Sequence, residues 1–123
     1  MMMDIRTKRV YAPPSPQDGF RVLVDRVWPR GMTKEQVQAD LWLKEVAPST
    51  ALRKWFGHDP LKWEEFKRRY YSELNANPGG VAPLLEAAER GRLTLLYSSR
   101  DTEHNQAVAL REYLLKRSRP KRS

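Results

Sequence analysis

The apolar residues of this chain form two short unbroken runs and several stripes spaced by three and four. The runs are Val22-Leu23-Val24, preceded by Phe20-Arg21, and Leu93-Thr94-Leu95-Leu96-Tyr97. Consecutive apolar residues in an extended segment point to both faces of a sheet, so both faces must be covered. That is the pattern of a central strand in an α/β domain and not of a one-sided antiparallel strand. Ile5 to Tyr11 alternates loosely, and Lys8 and Arg9 suit an edge strand. Ala12 to Gly19 is a loop: its three prolines exclude a ladder strand, and Asp18-Gly19 is turn chemistry.

Between the two runs the period changes to that of helices. Thr33 and Gln36 make a capping-box pair, which starts a short helix near Lys34. Asp40 is placed to cap a second short turn carrying Leu41, Trp42 and Leu43. Ser49 N-caps a helix that Gly57 closes, and Asp59-Pro60 is a strong start for the next one, expected to reach about Asn77. Trp63, Phe66, Tyr70 and Leu74 lie on one stripe of that helix. Asn77-Pro78-Gly79-Gly80 ends it, and a further helix carrying Leu84, Leu85 and Ala88 stops at Gly91. After the second run, Asp101 or Thr102 caps a last helix to about Lys116 that buries Ala107, Leu110 and Leu114.

Helices between two doubly covered strands imply a parallel pair joined by a right-handed crossover. The expected fold is a small three-layer single α/β domain over residues 1–115, with a short, mostly parallel sheet and a helical insertion between the two buried strands. Residues 116–123 are expected to form a basic, disordered tail.

Composition refines this picture. A chain of 123 residues is long enough to bury a core without a metal or disulfide staple. It has no cysteine, which removes disulfide and thiolate chemistry. No apolar run approaches the roughly 20 residues of a membrane span, and Met1-Met2-Met3-Asp4 is unlike a signal peptide, so a soluble cytoplasmic protein without membrane association is expected. The net charge of +8 points first to nucleic acid, but five cations (Lys116, Arg117, Arg119, Lys121 and Arg122) sit in the last eight residues. Such a tail binds polyanions by counterion release, or merely solubilises the chain.

The chemistry gathers at the ends of the two runs. If the strands are parallel, their exit loops lie side by side, and ligands in such sheets sit off the carboxyl ends. One loop supplies Asp25, Arg26 and Arg30; the other supplies Ser98, Ser99, Arg100 and Asp101, followed by His104 and Asn105. Arginines suit phosphate or carboxylate through their forked donors, and the amide groups at the start of the last helix favour the same sign. Asp25 and Asp101 are the candidate base or orienting groups. Arg26, Arg30, Ser98, Arg100 and Asn105 are candidate ligand contacts, and Lys44, Arg53 and His58 of the helical insertion form a second set. The competing reading is a structural ion pair at Asp25, a plain cap at Asp101 and a core lid at Trp28. Two histidines without ligand spacing give no metal site, and no phosphate loop or nucleophile elbow is present, so no cofactor is expected.

Lys8-Arg9-Val10-Tyr11, Asp18-Gly19 and the block Val24-Asp25-Arg26-Val27-Trp28-Pro29-Arg30-Gly31 resemble the YeaO-like family of small bacterial proteins. The resemblance continues through Trp42 to Ser49, Leu52 to Pro60, Leu93 to Tyr97 and Asp101 to Asn105. That family is a domain of unknown function, so the resemblance implies a single α/β domain and transfers no reaction. It marks Asp25, Arg26, Trp28, Arg30, Lys44, Glu45, Arg53, His58 and Asn105 as motif positions. An anionic small molecule is the expected partner, with nucleic acid bound through the tail as the alternative.

Overall fold

The computed structural model describes residues 3–117. Strands β1 (Ile5–Arg9), β2 (Phe20–Leu23), β3 (Leu41–Trp42) and β4 (Leu93–Tyr97) form one sheet in the order β1-β4-β2-β3. Every pairing is parallel: Ile5 lies opposite Leu93, Val22 opposite Leu95, and Leu41 opposite Val22. The two apolar runs are therefore the central strands and neighbours, while the charged strand β1 takes an edge. This is the α/β architecture that the hydrophobic pattern predicts.

Period-two alternation divides the core. Ile5, Val22, Val24, Leu93, Leu95 and Tyr97 face the larger layer. That layer is made by α2 (Thr50–Phe56), α3 (Trp63–Asn75), α4 (Pro78–Arg90) and α5 (Gln106–Arg117). Leu23 and Leu96 face the other way, onto a thinner layer of Val10, Val37 and Trp28 supplied by loops and by α1 (Lys34–Val37). The stripe Trp63, Phe66, Tyr70 and Leu74 of α3 is buried. Among the described residues no helix is long and apolar enough to cross a membrane.

Two local expectations fail because a tertiary partner outcompetes local chemistry. Leu41 and Trp42 form β3 instead of a helical turn, and Leu43 N–H continues the ladder to Leu23 O at 2.9 Å. Asp40 caps nothing; its carboxylate accepts from the backbone N–H of Arg21 at 2.8 Å and so fastens β2 to the segment leading into β3. Pro78-Gly79-Gly80 belong to the first turn of α4, where a missing donor costs little. Asn77 caps that turn, and a Cβ on Gly80 would meet the Asn77 side chain at 2.4 Å. Finally, α5 continues through Arg117, whose guanidinium bonds Tyr113 Oη and Asn75 Oδ1, each at 2.7 Å. Lys116 and Arg117 are thus helical, and the rest of the basic tail lies outside the described residues.

At the amino-terminal end of the strands a buried ion cluster fixes the register. Arg21, 5 % exposed, pairs with Asp18 at 2.5 Å and donates to Val37 O at 2.5 Å and Gln38 O at 2.9 Å. Lys8 closes on the same carboxylate at 3.0 Å. This cluster belongs to the scaffold and leaves the opposite end of the sheet for other chemistry.

Candidate functional site

The connection leaving β2 turns toward β3 through α1, while that leaving β4 returns over the opposite face as α5, against β1 and β4. Two neighbouring parallel strands whose connections depart to opposite sides leave a crevice at their carboxyl ends. A cavity of about 650 Å³ occupies that position. Asp25, Arg26, Arg30, Arg53, His58, Ser98, Arg100 and Asp101 all line it. The two exit loops and the insertion therefore converge on one place.

The carboxylates are committed to architecture. Asp25, 6 % exposed at the cavity floor, accepts from Ser98 N–H at 3.1 Å, from Ser98 Oγ at 2.5 Å and from the side-chain amide of Gln106. Burial pushes its carboxyl above the ordinary range, against the opposing pull of the Ser98 and Gln106 hydrogen bonds and the Arg53 charge. One side chain thus ties the β2 exit to the β4 exit and to the start of α5. Asp101 accepts from Glu103 N–H at 2.9 Å, His104 N–H at 3.0 Å and the His104 ring at 3.0 Å. The Glu103 amide first, and then the His104 groups, outweigh desolvation and hold Asp101 below the usual carboxylate range. The Asp101 carboxylate itself therefore takes up amides ahead of α5 that would otherwise face an anion.

The arginines divide into two kinds. Arg26 donates to Ala47 O at 3.0 Å and Pro48 O at 3.3 Å, anchoring the segment that leads into α2. That segment is held from behind by Tyr70 Oη, which donates to Val46 O at 2.5 Å, and by Glu73, which accepts from both Ser49 N–H at 2.9 Å and Ser49 Oγ at 2.6 Å. Arg30, Arg53 and Arg100 are exposed at the cavity rim, and their guanidinium groups make no hydrogen bond or ion pair with the described residues. Four arginines and two carboxylates line the cavity, so its walls remain net positive even with both acids ionised.

Two expected contacts do not line this cavity. The Lys44 ammonium sits over the Trp42 ring, 4.9 Å from its centroid, and away from the cavity. Asn105, 2 % exposed, N-caps α5 by accepting from Val108 N–H at 3.0 Å, and its amide donates to Asp101 O at 2.8 Å. It takes the capping role expected of Asp101 or Thr102, because the loop makes one more turn before α5 begins at Gln106. Among the described residues no cluster of histidine and acidic side chains is arranged to hold a metal ion.

The structure adds residues that sequence reasoning passes over. Gln106 reads as a routine helical polar residue, and only the crossing of α5 over β4 brings it to Asp25. Tyr11 joins the rim, with its hydroxyl donating to Arg30 O at 3.1 Å. Arg9 holds the second exit loop through Ser99 O at 3.0 Å and Ser98 O at 3.4 Å. Trp28 is a core lid, as its composition suggests: its indole N–H donates to Met32 O at 2.6 Å and its ring meets Trp42 edge-on at 5.4 Å. His58 has φ of 59° directly after Gly57 at 54°, a left-handed conformation that costs a non-glycine residue about 1–3 kcal/mol. The strained turn places the imidazole on the cavity wall.

A family model described as the inactive DUF488-N3 subclade matches residues 4–122. The uncharacterised protein YeaO of Escherichia coli is 42 % identical over 112 residues, covering 91 % of this chain and 97 % of the relative. The uncharacterised proteins Rv3073c of Mycobacterium tuberculosis and Mb3100c of Mycobacterium bovis are each 38 % identical over 110 residues, covering 89 % of this chain and 92 % of theirs. No solved structure matches.

Proposed function

The chain belongs to the inactive DUF488-N3 subclade, alongside YeaO, and from that premise we propose that its carboxyl-end cavity binds an anionic small molecule without transforming it. The observation that carries this reading is the contrast between the acids and the bases that line the cavity. Asp25 and Asp101 each already accept three hydrogen bonds from neighbouring donors, which favours a structural role over proton transfer for both. Arg30, Arg53 and Arg100 carry unengaged forked donors around a space of about 650 Å³, a size that suits a small ligand. Phosphate monoesters and carboxylates are the matching class, since a guanidinium meets either with two parallel hydrogen bonds. A family described as inactive is consistent with a fold that has kept a binding crevice and lost a reaction.

Thermal denaturation against a panel of inorganic phosphate, phosphate monoesters and small carboxylates tests this. A ligand at a hundredfold excess over its Kd stabilises the folded chain by about 2.7 kcal/mol, which is readily seen as a raised midpoint. Arg53→Ala combined with Arg100→Ala is expected to weaken binding about a hundredfold, at roughly 1.4 kcal/mol for each lost contact, and to leave the unliganded midpoint within about 1 kcal/mol of wild type because both side chains are exposed and unpaired. No anion raising the midpoint of the wild type would refute the proposal. DNA binding that needs residues 118–123 and ignores these two substitutions would favour the basic tail as the functional element instead.

A further inference from the structure

A second cavity of about 170 Å³ adjoins the first and shares four lining residues with it, among them Arg53 and His58. Its character is different. Phe56 and Phe66, stacked at 4.3 Å, form part of its wall together with His104, whose ring meets Trp63 edge-on at 5.4 Å. Arg53 and Lys54 also line this space, but its aromatic surfaces favour a flat ring packed by offset stacking or edge contact. The volume fits such a group, since an apolar cavity of roughly 150 Å³ accommodates benzene. The strained left-handed turn at His58 sits at the junction of the two spaces, and backbone strain of this kind concentrates at ligand clamps.

From this juxtaposition we infer that the cavity pair recognises a bipartite ligand: a phosphate or carboxylate held by the rim arginines, joined to an aromatic or heteroaromatic ring that enters the Phe56–Phe66 bay. This rests on the anion-binding reading and adds its specificity. Arg53, common to both spaces, lies where the two parts of the ligand meet. His58 flanks the ring on the same wall.

Calorimetric titration of the full chain with inorganic phosphate, phenyl phosphate and an alkyl phosphate of similar size tests the inference. Phenyl phosphate is expected to bind about 10- to 100-fold more tightly than inorganic phosphate, the range expected for burying one phenyl group, and more tightly than the alkyl ester. Thr50→Trp, which places a large side chain at the exposed mouth of the bay, is expected to bring phenyl phosphate down to the affinity of inorganic phosphate, with the inorganic phosphate titration of the same variant serving as its folding control. Phosphate binding with no gain from the phenyl group would overturn the ring bay alone. An alkyl ester binding as well as phenyl phosphate would overturn its aromatic character. Absence of binding by all three would overturn the anion site with it.

Discussion

Asp25 separates a structural tie from a chemical base, and two substitutions at that position give different answers. Asp25→Ala removes the acceptor for Ser98 N–H, Ser98 Oγ and the Gln106 amide at once. The hydroxyl and the amide can turn toward the cavity and water, but the backbone N–H cannot. One stranded buried donor costs about 1–3 kcal/mol, and losing hydrogen bonds to a charged acceptor adds about 1.5–3 kcal/mol for each that water does not replace. Against this, the variant no longer buries a carboxylate, and the net loss expected is about 2–3 kcal/mol. Asp25→Asn keeps an oxygen for both Ser98 donors, and rotation of the Gln106 amide lets its oxygen accept from the new NH₂ group. With no charge to desolvate, this variant is expected within about 1 kcal/mol of wild type at neutral pH. The pH dependence has a fixed sign. Burial raises the folded-state pKa of Asp25 above its unfolded value, so the folded chain takes up that proton first and gains stability relative to Asp25→Asn as pH falls through the folded pKa; above it the penalty is present in full. Urea unfolding followed by tryptophan fluorescence, at neutral and at mildly acidic pH, measures both effects through the midpoint at constant slope. An Asn variant as unstable as the Ala variant would refute this account, as would a wild type that loses ground to Asp25→Asn on acidification.

At the other end of the sheet, Arg21→Met is expected to cost about 3–5 kcal/mol, because Asp18, Val37 O and Gln38 O all lose a buried donor; equilibrium unfolding gives the number. Asp18 itself behaves oppositely to Asp25. Burial is its largest single influence, but the hydrogen bonds from Lys8, Ser15 N–H and Arg21 outweigh it and hold the folded pKa below the ordinary carboxylate range. Its contribution is therefore full above the unfolded pKa and lost as pH falls through the folded pKa. Asp18→Asn should flatten the acid limb of a stability-versus-pH curve, and an unchanged limb would show that the ion cluster is energetically silent. Gly19→Ala is expected to cost at least about 2 kcal/mol, since Gly19 has φ of 69° and a Cβ there would meet Arg92 O at 2.4 Å; a thermal midpoint equal to wild type would contradict this.

The sequence by itself determines the α/β class. Runs such as Val22-Leu23-Val24 and Leu93 to Tyr97 are stable only when both faces are covered, and that condition requires helices on a parallel sheet. The caps at Thr33, Ser49 and Asp59 are legible for the same reason: each satisfies amides within a few residues of itself, so the chemistry is local. The sequence also places Asp25, Arg30 and Arg100 at strand exits. The tertiary structure decides which of these groups are engaged. Gln106 reaches Asp25 across 81 positions and Glu73 reaches Ser49 across 24, and no short-range pattern encodes either contact. Leu41-Trp42 becomes a strand because β2 offers an open edge, not because two residues prefer extension. Lys44 and Asn105 do not line the larger cavity, because a tryptophan face holds one and the start of a helix holds the other. A hydrogen bond or ion contact depends on distance in space, and local sequence fixes distance only over a turn or two of chain; beyond that, packing of the sheet against its helices sets it.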